Sequence, residues 1–369
     1  MKSHYKLLGD YIREVNVRNT ELKELDLLGI SIQKKFIPSI ANIIGTDMSK
    51  YKIVKKNQFA YGTVTSRNGD KISIALLQNC EEALISQAYI SFEVIDENIL
   101  LPEYLMMWFR REEFDRYARY MSYGSAREVF SWEEMCNVEL PVPTIEKQKE
   151  IVKEYTTIMN KLKLNNKFMS LLENMAIDIY KDTFLNSNNI GENNYKKLRD
   201  IATITMGQSP DGSSYNNEGR GEVFYQGRTD FGFRYPNATT YTTQSKKIAN
   251  KDEILISVRA PVGDLNIATE KCCIGRGIAS IKSKNGYNSY VFYSLKLFKE
   301  KFSVANGEGT IFGSIKKNDL EELDVNYCEK KIIIFEEIVS IIDNKIRICE
   351  EQNKILISIK KLLYSKMAK

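Results

Sequence analysis

The sequence predicts an α+β protein built twice in tandem, each copy a compact domain followed by one long helix. Three observations predict it. From Ile151, positions spaced alternately four and three apart are apolar over four heptads with one exception, Asn165. The start of this stretch, ELPVPTIEKQKEIV, is echoed near the C-terminus from Glu329. The segments before the two helices also follow one order: YKKLRDIATITMGQSP from Tyr195 answers YKLLGDYIREV from Tyr5, and DEILISV (Asp252–Val258) answers Asn57–Thr63. Gly124 falls opposite Gly309, and Leu140 opposite Val325, at one constant offset.

In the first copy, residues 5–17 alternate apolar and polar residues, as a short helix or a first strand. Ile30 and Ile32 alternate before Lys34 and Lys35. Short strands are expected at Tyr51–Val54, Gln58–Val64, Ile72–Leu77 and Ala88–Val94, punctuated by Asn68-Gly69 and Asn79. The period then changes, predicting one helix over Leu101–Tyr120 with Leu105, Trp108, Phe109 and Phe114 inward. A loop with Gly124 and Ser125, a helical turn at Ser131–Cys136 and a last strand, NVELPVP, complete the domain. In the second copy, the strand around Ile90 has its counterpart at Gly277–Ile281, and Ser289–Phe302 is the aromatic-rich helix. Gly307 and Gly309, Ser314–Leu323 and a strand at Asp324–Tyr327 follow. The boundaries are 1–143 for the first domain, 144–185 for its helix, an Asn-rich linker at 186–194, 195–328 for the second domain and 329–369 for the last helix.

Pro141 and Pro143 stop the strand before the first helix, and Thr144 caps it. Its seam reads Ile151, Tyr155, Ile158, Leu162, Asn165, Met169, Leu172, Ala176, Ile179. At 1.5 Å per residue the helix is on the order of 60 Å long, longer than any one small domain, so it reads as a strut or spacer. Aligning Glu146-Lys147 with Glu329-Lys330 puts the second seam at Ile334, Ile338, Ile341, Lys345, Ile348, Gln352, Ile355, Ile359 and Leu362. Neither helix buries its stripe alone, so each is expected to pair with the other. Asn165, Lys345 and Gln352 either fix register from within the seam or sit at its rim.

Composition bounds the function. A chain of 369 residues with 43% hydrophobic residues holds two cores. The cysteines lack a C-x-x-C pair and His4 is the lone imidazole, which argues against zinc and for a reduced, cytoplasmic compartment. No signal-peptide core or membrane-length apolar run is present. A net charge of +5, from 53 basic and 48 acidic residues, leaves any nucleic-acid signal to local distribution. Without a Pro-Pro pair there is no N-P-P-Y methyltransferase motif, and no phosphate-binding G-x-x-x-x-G-K-[ST] loop occurs. The Gly-Arg-Gly and Gly-Glu-Gly runs are too short for a dinucleotide loop and read as turns; no E-x-K follows Pro210-Asp211 at nuclease spacing. His4 alone cannot serve a nucleophilic triad.

With Pro141, Pro143, Glu146 and Gln148 ahead of the helix, and the weaker echo at Glu329-Lys330-Lys331, nearly the whole chain resembles the DNA-specificity subunit of type I restriction-modification systems. That resemblance implies two target-recognition domains, each reading half of a split site in double-stranded DNA, held apart by an antiparallel coiled coil. It implies docking of two methyltransferase subunits, further restriction/translocase subunits, and a role in bacterial defence against foreign DNA. No catalysis and no cofactor are expected on this chain; S-adenosylmethionine, Mg and ATP are expected on the partners, and no membrane is involved. The alternatives are a specificity module detached from a single-chain restriction-methylation enzyme, or a coiled-coil scaffold without a DNA role.

Candidate DNA contacts in the first domain are Lys34, Lys35, Lys50, Lys52, Lys55 and Lys56, near Tyr61, Arg67 and Asn68. In the second they are Gln208, Ser209, Tyr225, Gln226, Arg228, Arg234 and Tyr241, interleaved with glycine, then Arg259 and Arg276. Arg, Gln and Asn in loops suit base edges, whereas Lys and hydroxyls suit phosphates; a Lys run is otherwise a solvated surface. Arg127 and Ser131 in the first Gly-containing loop correspond to Thr310 and Lys316 in the second, with helix capping as the plainer alternative.

Overall fold

The structure, a computed structural model, describes residues 5–42, 45–66, 68–122, 128–186, 195–305 and 314–367, the side chains at 300–305 excepted. The chain separates into two compact units, residues 1–162 with 354–369 and residues 163–353. Each holds one α+β domain and parts of both long helices.

In the first domain an antiparallel sheet runs in the order Ile12–Val15, Tyr89–Val94, Phe59–Gly62, Ile74–Leu76. A second sheet runs Phe36–Pro38, Leu27–Ile30, Glu82–Ile85, Lys52–Lys55, with its middle pair parallel. Tyr5–Leu7 pairs with Glu139–Pro141 and closes the domain. The second domain repeats this order with one strand added, Tyr215–Asn216: Ala202–Met206, Ile278–Ser283, Ile254–Ser257, Leu265–Ile267 form one sheet. Its other sheet is Tyr215–Asn216, Tyr241–Thr242, Glu222–Tyr225, Cys272–Ile274, Ile248–Ala249, again with one parallel pair, Glu222–Tyr225 beside Cys272–Ile274. Leu140 faces Lys6 as Val325 faces Lys196. The tandem α+β architecture is the one the sequence predicts.

Two local expectations change. Leu101–Tyr120 is two helices, Pro102–Phe109 and Glu112–Met121, because Arg111 is extended (φ −73°, ψ 144°), its guanidinium 4.2 Å from the Trp108 ring centroid. The second copy keeps one helix, Asn288–Ala305. Strands Phe36–Pro38 and Glu82–Ile85 carry no clean alternation and were not foreseen.

The central helix spans Ile145–Phe184 and the C-terminal helix Glu329–Met367. The first seam is where its periodicity places it. In the 1–162/354–369 unit, Ile151, Tyr155 and Ile158 are buried with Leu363 and Met367, and Leu162 packs at the edge. In the 163–353 unit, Met169, Ala176, Tyr180 and Phe184 are buried with Ile332, Phe335, Val339, Ile342, Ile346 and Cys349, while Leu172 and Ile179 pack at the edge. Asn165 is buried and donates to Asn353 Oδ1 (2.9 Å) and Gln352 Oε1 (3.4 Å), whereas Lys331 reaches the Thr183 carbonyl. Within that unit the two helix segments therefore run antiparallel.

The second seam is corrected by one residue. Ile334, Ile338, Ile341, Ile355, Ile359 and Leu362 are exposed, Ile348 is half-buried and Lys345 is exposed. The buried row is the next one round the helix, Phe335, Val339, Ile342, Ile346 and Cys349, continuing to Leu363 and Met367. The cause is the alignment on Glu146-Lys147, which sets the helices two residues back from the match of Leu140 with Val325. Residues 142–144 separate strand from helix in the first copy and residues 327–328 in the second, so the connector is shorter by one residue and the helix register slips by one against the strands. The central helix carries a matching exposed stripe, Leu164, Phe168, Leu171 and Met175, also one residue before its seam.

Gln148 is fully buried and saturated: its Oε1 accepts the Leu101 N–H (2.9 Å), and its Nε2 donates to the carbonyls of Ile99 and Pro143 (both 2.8 Å). The glutamine in the sequence motif thus fixes the start of the central helix to the start of the domain's own helix. Among the described residues no helix is long and apolar enough to cross a membrane.

Candidate nucleic-acid interface

In the second domain four strand ends meet. Ala202–Met206 leads into Gly207-Gln208-Ser209, Glu222–Tyr225 into Gln226-Gly227-Arg228, Cys272–Ile274 into Gly275-Arg276-Gly277, and Ile254–Ser257 into Val258-Arg259. Backbone bonds tie them into one cluster: Gly207 N–H to Ile278 O and Gln208 N–H to Ile274 O (both 2.9 Å), Gly275 N–H to Tyr225 O (2.8 Å), Val258 N–H to Gly277 O (2.9 Å). The Arg276 N–H also donates to Ser209 Oγ (3.2 Å). Such close approach needs glycine at two points. A Cβ at Gly207 would lie 2.2 Å from Gly275 O, and one at Gly277 would lie 2.7 Å from Gln226 O. The Gly-Arg-Gly run is therefore a crossing point of backbones.

On this cluster Gln208, Gln226, Arg228, Arg259 and Arg276 are exposed, and Ser209 is half-buried. Arg259 bridges Ser314, which brings the exposed Lys316 alongside; Lys316 also opens a helical turn, its N–H held by Asp319 (2.8 Å). Arg228 is ion-paired with Asp264, which Lys299 also contacts. Burial pushes the Asp264 carboxyl up, but bonds from Lys299 and Arg228 outweigh it and leave its pKa lowered. The donors on this face match what base edges and phosphates require.

Two candidates in this domain lie elsewhere. Tyr225 is core, its hydroxyl buried near Thr269. Arg234 is 1% exposed, donating to Asp343 (2.9 Å), Glu173 (3.2 Å) and the Tyr293 hydroxyl (3.0 Å) over the Phe292 ring. Burial opposes its charge, but Tyr293, Asp343 and Glu173 together outweigh that and raise its pKa. It fastens the second domain to the two helix segments of its own unit.

The first-domain lysines form no such face. Lys34 is buried and paired with Asp115 (2.7 Å), and burial lowers its pKa although Asp115 holds it. Lys52 is buried with Nζ on the Tyr89 carbonyl (2.8 Å). Lys50, Lys55 and Lys56 are ion-paired with Asp47, Glu82 and Glu81. Tyr61 is core, Asn68 bonds the Val64 carbonyl and Ser131 caps the helix after it; Lys35 alone of the run is exposed and has no ion pair among the described residues. Arg67, Arg127 and Thr310 lie outside the described residues. Most members of the Lys run have acceptors within the domain. Among the described residues no group of His, Cys, Asp and Glu is placed to hold a metal ion.

The sequence matches the profile of the type I restriction modification DNA specificity domain twice, over residues 20–174 and 191–361. The chain belongs to that specificity family. A curated sequence described as the type I restriction enzyme MjaX specificity subunit, from Methanocaldococcus jannaschii, is 34% identical over 250 residues, covering 62% of this chain and 58% of the relative. The chain thus spans a little over half the length of that relative. The S subunit of a type I restriction-modification system from M. genitalium shares the fold: TM-score 0.61 at 14% identity, over 99% of this chain and 96% of that one. Each match to the specificity-domain profile covers a large part of one α+β domain and much of the helix that follows it.

Proposed function

We propose that this chain is the non-catalytic sequence-specificity subunit of a type I restriction-modification complex. Each recognition domain reads one half of a bipartite site in duplex DNA. The observation that carries this reading is the duplication of a domain, with its strand order kept and one edge strand added, whose second copy gathers exposed Arg and Gln on one glycine-enabled backbone crossing. Two methyltransferase subunits dock on the helical frame. The apolar stripes Leu164, Phe168, Leu171, Met175 and Ile334, Ile338, Ile341 support this, since both precede their seams by one residue and so share one side of an antiparallel pair. S-adenosylmethionine, Mg and ATP act on the methyltransferase and restriction/translocase subunits. The helices set the separation of the half-sites.

The test is co-expression with a candidate methyltransferase, followed by mapping of methylated adenines. A split motif with a fixed gap is expected. A continuous motif, or methylation independent of this chain, overturns the reading.

A further inference from the structure

The two domains correspond residue by residue through their hydrogen bonds, where sequence likeness is faint. Asn57 and Asp252 both adopt positive φ (65° and 67°) and donate across to Leu77 O (2.9 Å) and Ala268 O (2.8 Å). Phe59 pairs with Phe92 as Ile254 pairs with Ile281, and Val64 bridges Val129 as Arg259 bridges Ser314. Counting back along the paired strand, Tyr89 matches Ile278. Each closes the same turn, Tyr89 N–H on Ser86 O (3.1 Å) and Ile278 N–H on Gly275 O (3.0 Å). Gln87 therefore stands in the first domain where Arg276 stands in the second.

Both side chains are exposed, and neither has a hydrogen bond or ion pair among the described residues. Other matched positions do not share this property. Leu28 pairs with Ile85 as Tyr225 pairs with Ile274, so Gln226 corresponds to Gly29; Arg259 corresponds to Val64. Of these three matched pairs, Gln87/Arg276 alone offers a bidentate side chain in both copies. In the major groove, Gln makes a bidentate pair with adenine N6/N7 and Arg with guanine O6/N7.

We propose that Gln87 and Arg276 are the paired base-reading residues of the two half-sites, Gln87 facing an adenine and Arg276 a guanine. This rests on the specificity-subunit reading and names the residues through which it acts. The full chain, co-produced with its methyltransferase partner, is compared as wild type, Gln87→Arg, Gln87→Ala and Arg276→Gln by mapping methylated sites. Gln87→Arg changes one A·T pair of one half-site to G·C and leaves the other half-site intact. Arg276→Gln does the converse in the other half-site. The intact half-site reports a folded, assembled subunit. Gln87→Ala relaxes the same base pair by about tenfold or more. If Gln87→Arg abolishes methylation, Gln87→Ala decides, because it only removes the contact. An unchanged motif in Gln87→Ala, or changes in both half-sites, overturns the assignment. A wild-type chain without a split motif overturns the specificity-subunit reading itself, and this assignment with it.

Discussion

Each long helix holds the N-terminal end of the helix in its own domain, and the two copies do so with different chemistry. In the first, the Gln148 amide accepts the Leu101 N–H at the cap of Pro102–Phe109 and donates to two carbonyls. In the second, the matching position after the one-residue slip is the buried Ile332, and the capping acceptor sits one turn later: Glu336 takes the Tyr290 N–H at 2.7 Å. Nearby, Asp343 accepts from Ser289 (2.8 Å) and Arg234 (2.9 Å). One joint is neutral and saturated. The other is built of charges, and burial pushes the Glu336 carboxyl up to about 7. A duplicated frame therefore preserves the place of a contact while its chemistry drifts.

Removing the charge at the centre of the second joint should have the largest effect. Arg234→Ala leaves Asp343 without its cation and Glu173 with Lys296 alone, and a cost on the order of 3–5 kcal/mol is expected in denaturant unfolding. Arg234→Lys should recover little of it, because a point ammonium cannot fork between two carboxylates. A loss below about 1 kcal/mol would show that the cluster is not what joins domain to helix.

Next is the neutral joint. Gln148→Ala strands one buried N–H and two carbonyls, for about 2–3 kcal/mol in the same assay. Gln148→Glu should be nearly as damaging, since a carboxylate accepts from Leu101 but cannot donate to Ile99 and Pro143. Equal tolerance of Glu and Gln there would erase the contrast between the copies.

The smallest effect is the pH response of Glu336. Its folded pKa is raised above the ordinary 4.5, so the folded state holds its proton more tightly and this site loses stability as pH rises from about 4.5 to about 7. Glu336→Gln keeps an acceptor for Tyr290 without the charge. It should be stabilising by on the order of 1 kcal/mol at pH 8, after solvent screening, and neutral at pH 4. Thermal unfolding at the two pH values measures this, and a pH-independent difference would remove the titration from the account.

What was legible in the sequence followed from periodicity and duplication. The first seam reads correctly because a polar residue, Glu150, Glu154 or Thr157, directly precedes each of Ile151, Tyr155 and Ile158. The second does not, because apolar residues fill two adjacent stripes of that helix and only the length of the connector says which is buried. The burial of two members of the Lys run was not legible for a related reason. Lys34 is spent on Asp115 and Lys52 on the Tyr89 carbonyl, partners brought near by folding that no local pattern marks. The second domain's exposed Gln and Arg residues cluster where glycines flag the crossing beneath them. Gln87, in a plain Ser-Gln-Ala turn, carries no such flag, and strand pairing alone reveals it.

Arg234 also limits which foreign domains this frame accepts. Its acidic partners Glu173 and Asp343 lie one on each long helix, whereas the cations that neutralise them, Arg234 for both and Lys296 for Glu173, arrive with residues 195–328. A chimera that imports another recognition module without cations at these two places would inherit two orphaned carboxylates, and would assemble poorly whatever DNA the imported module reads. Compatibility in module exchange is thus written partly in the helices, as a lock that only an arginine-bearing insert fits.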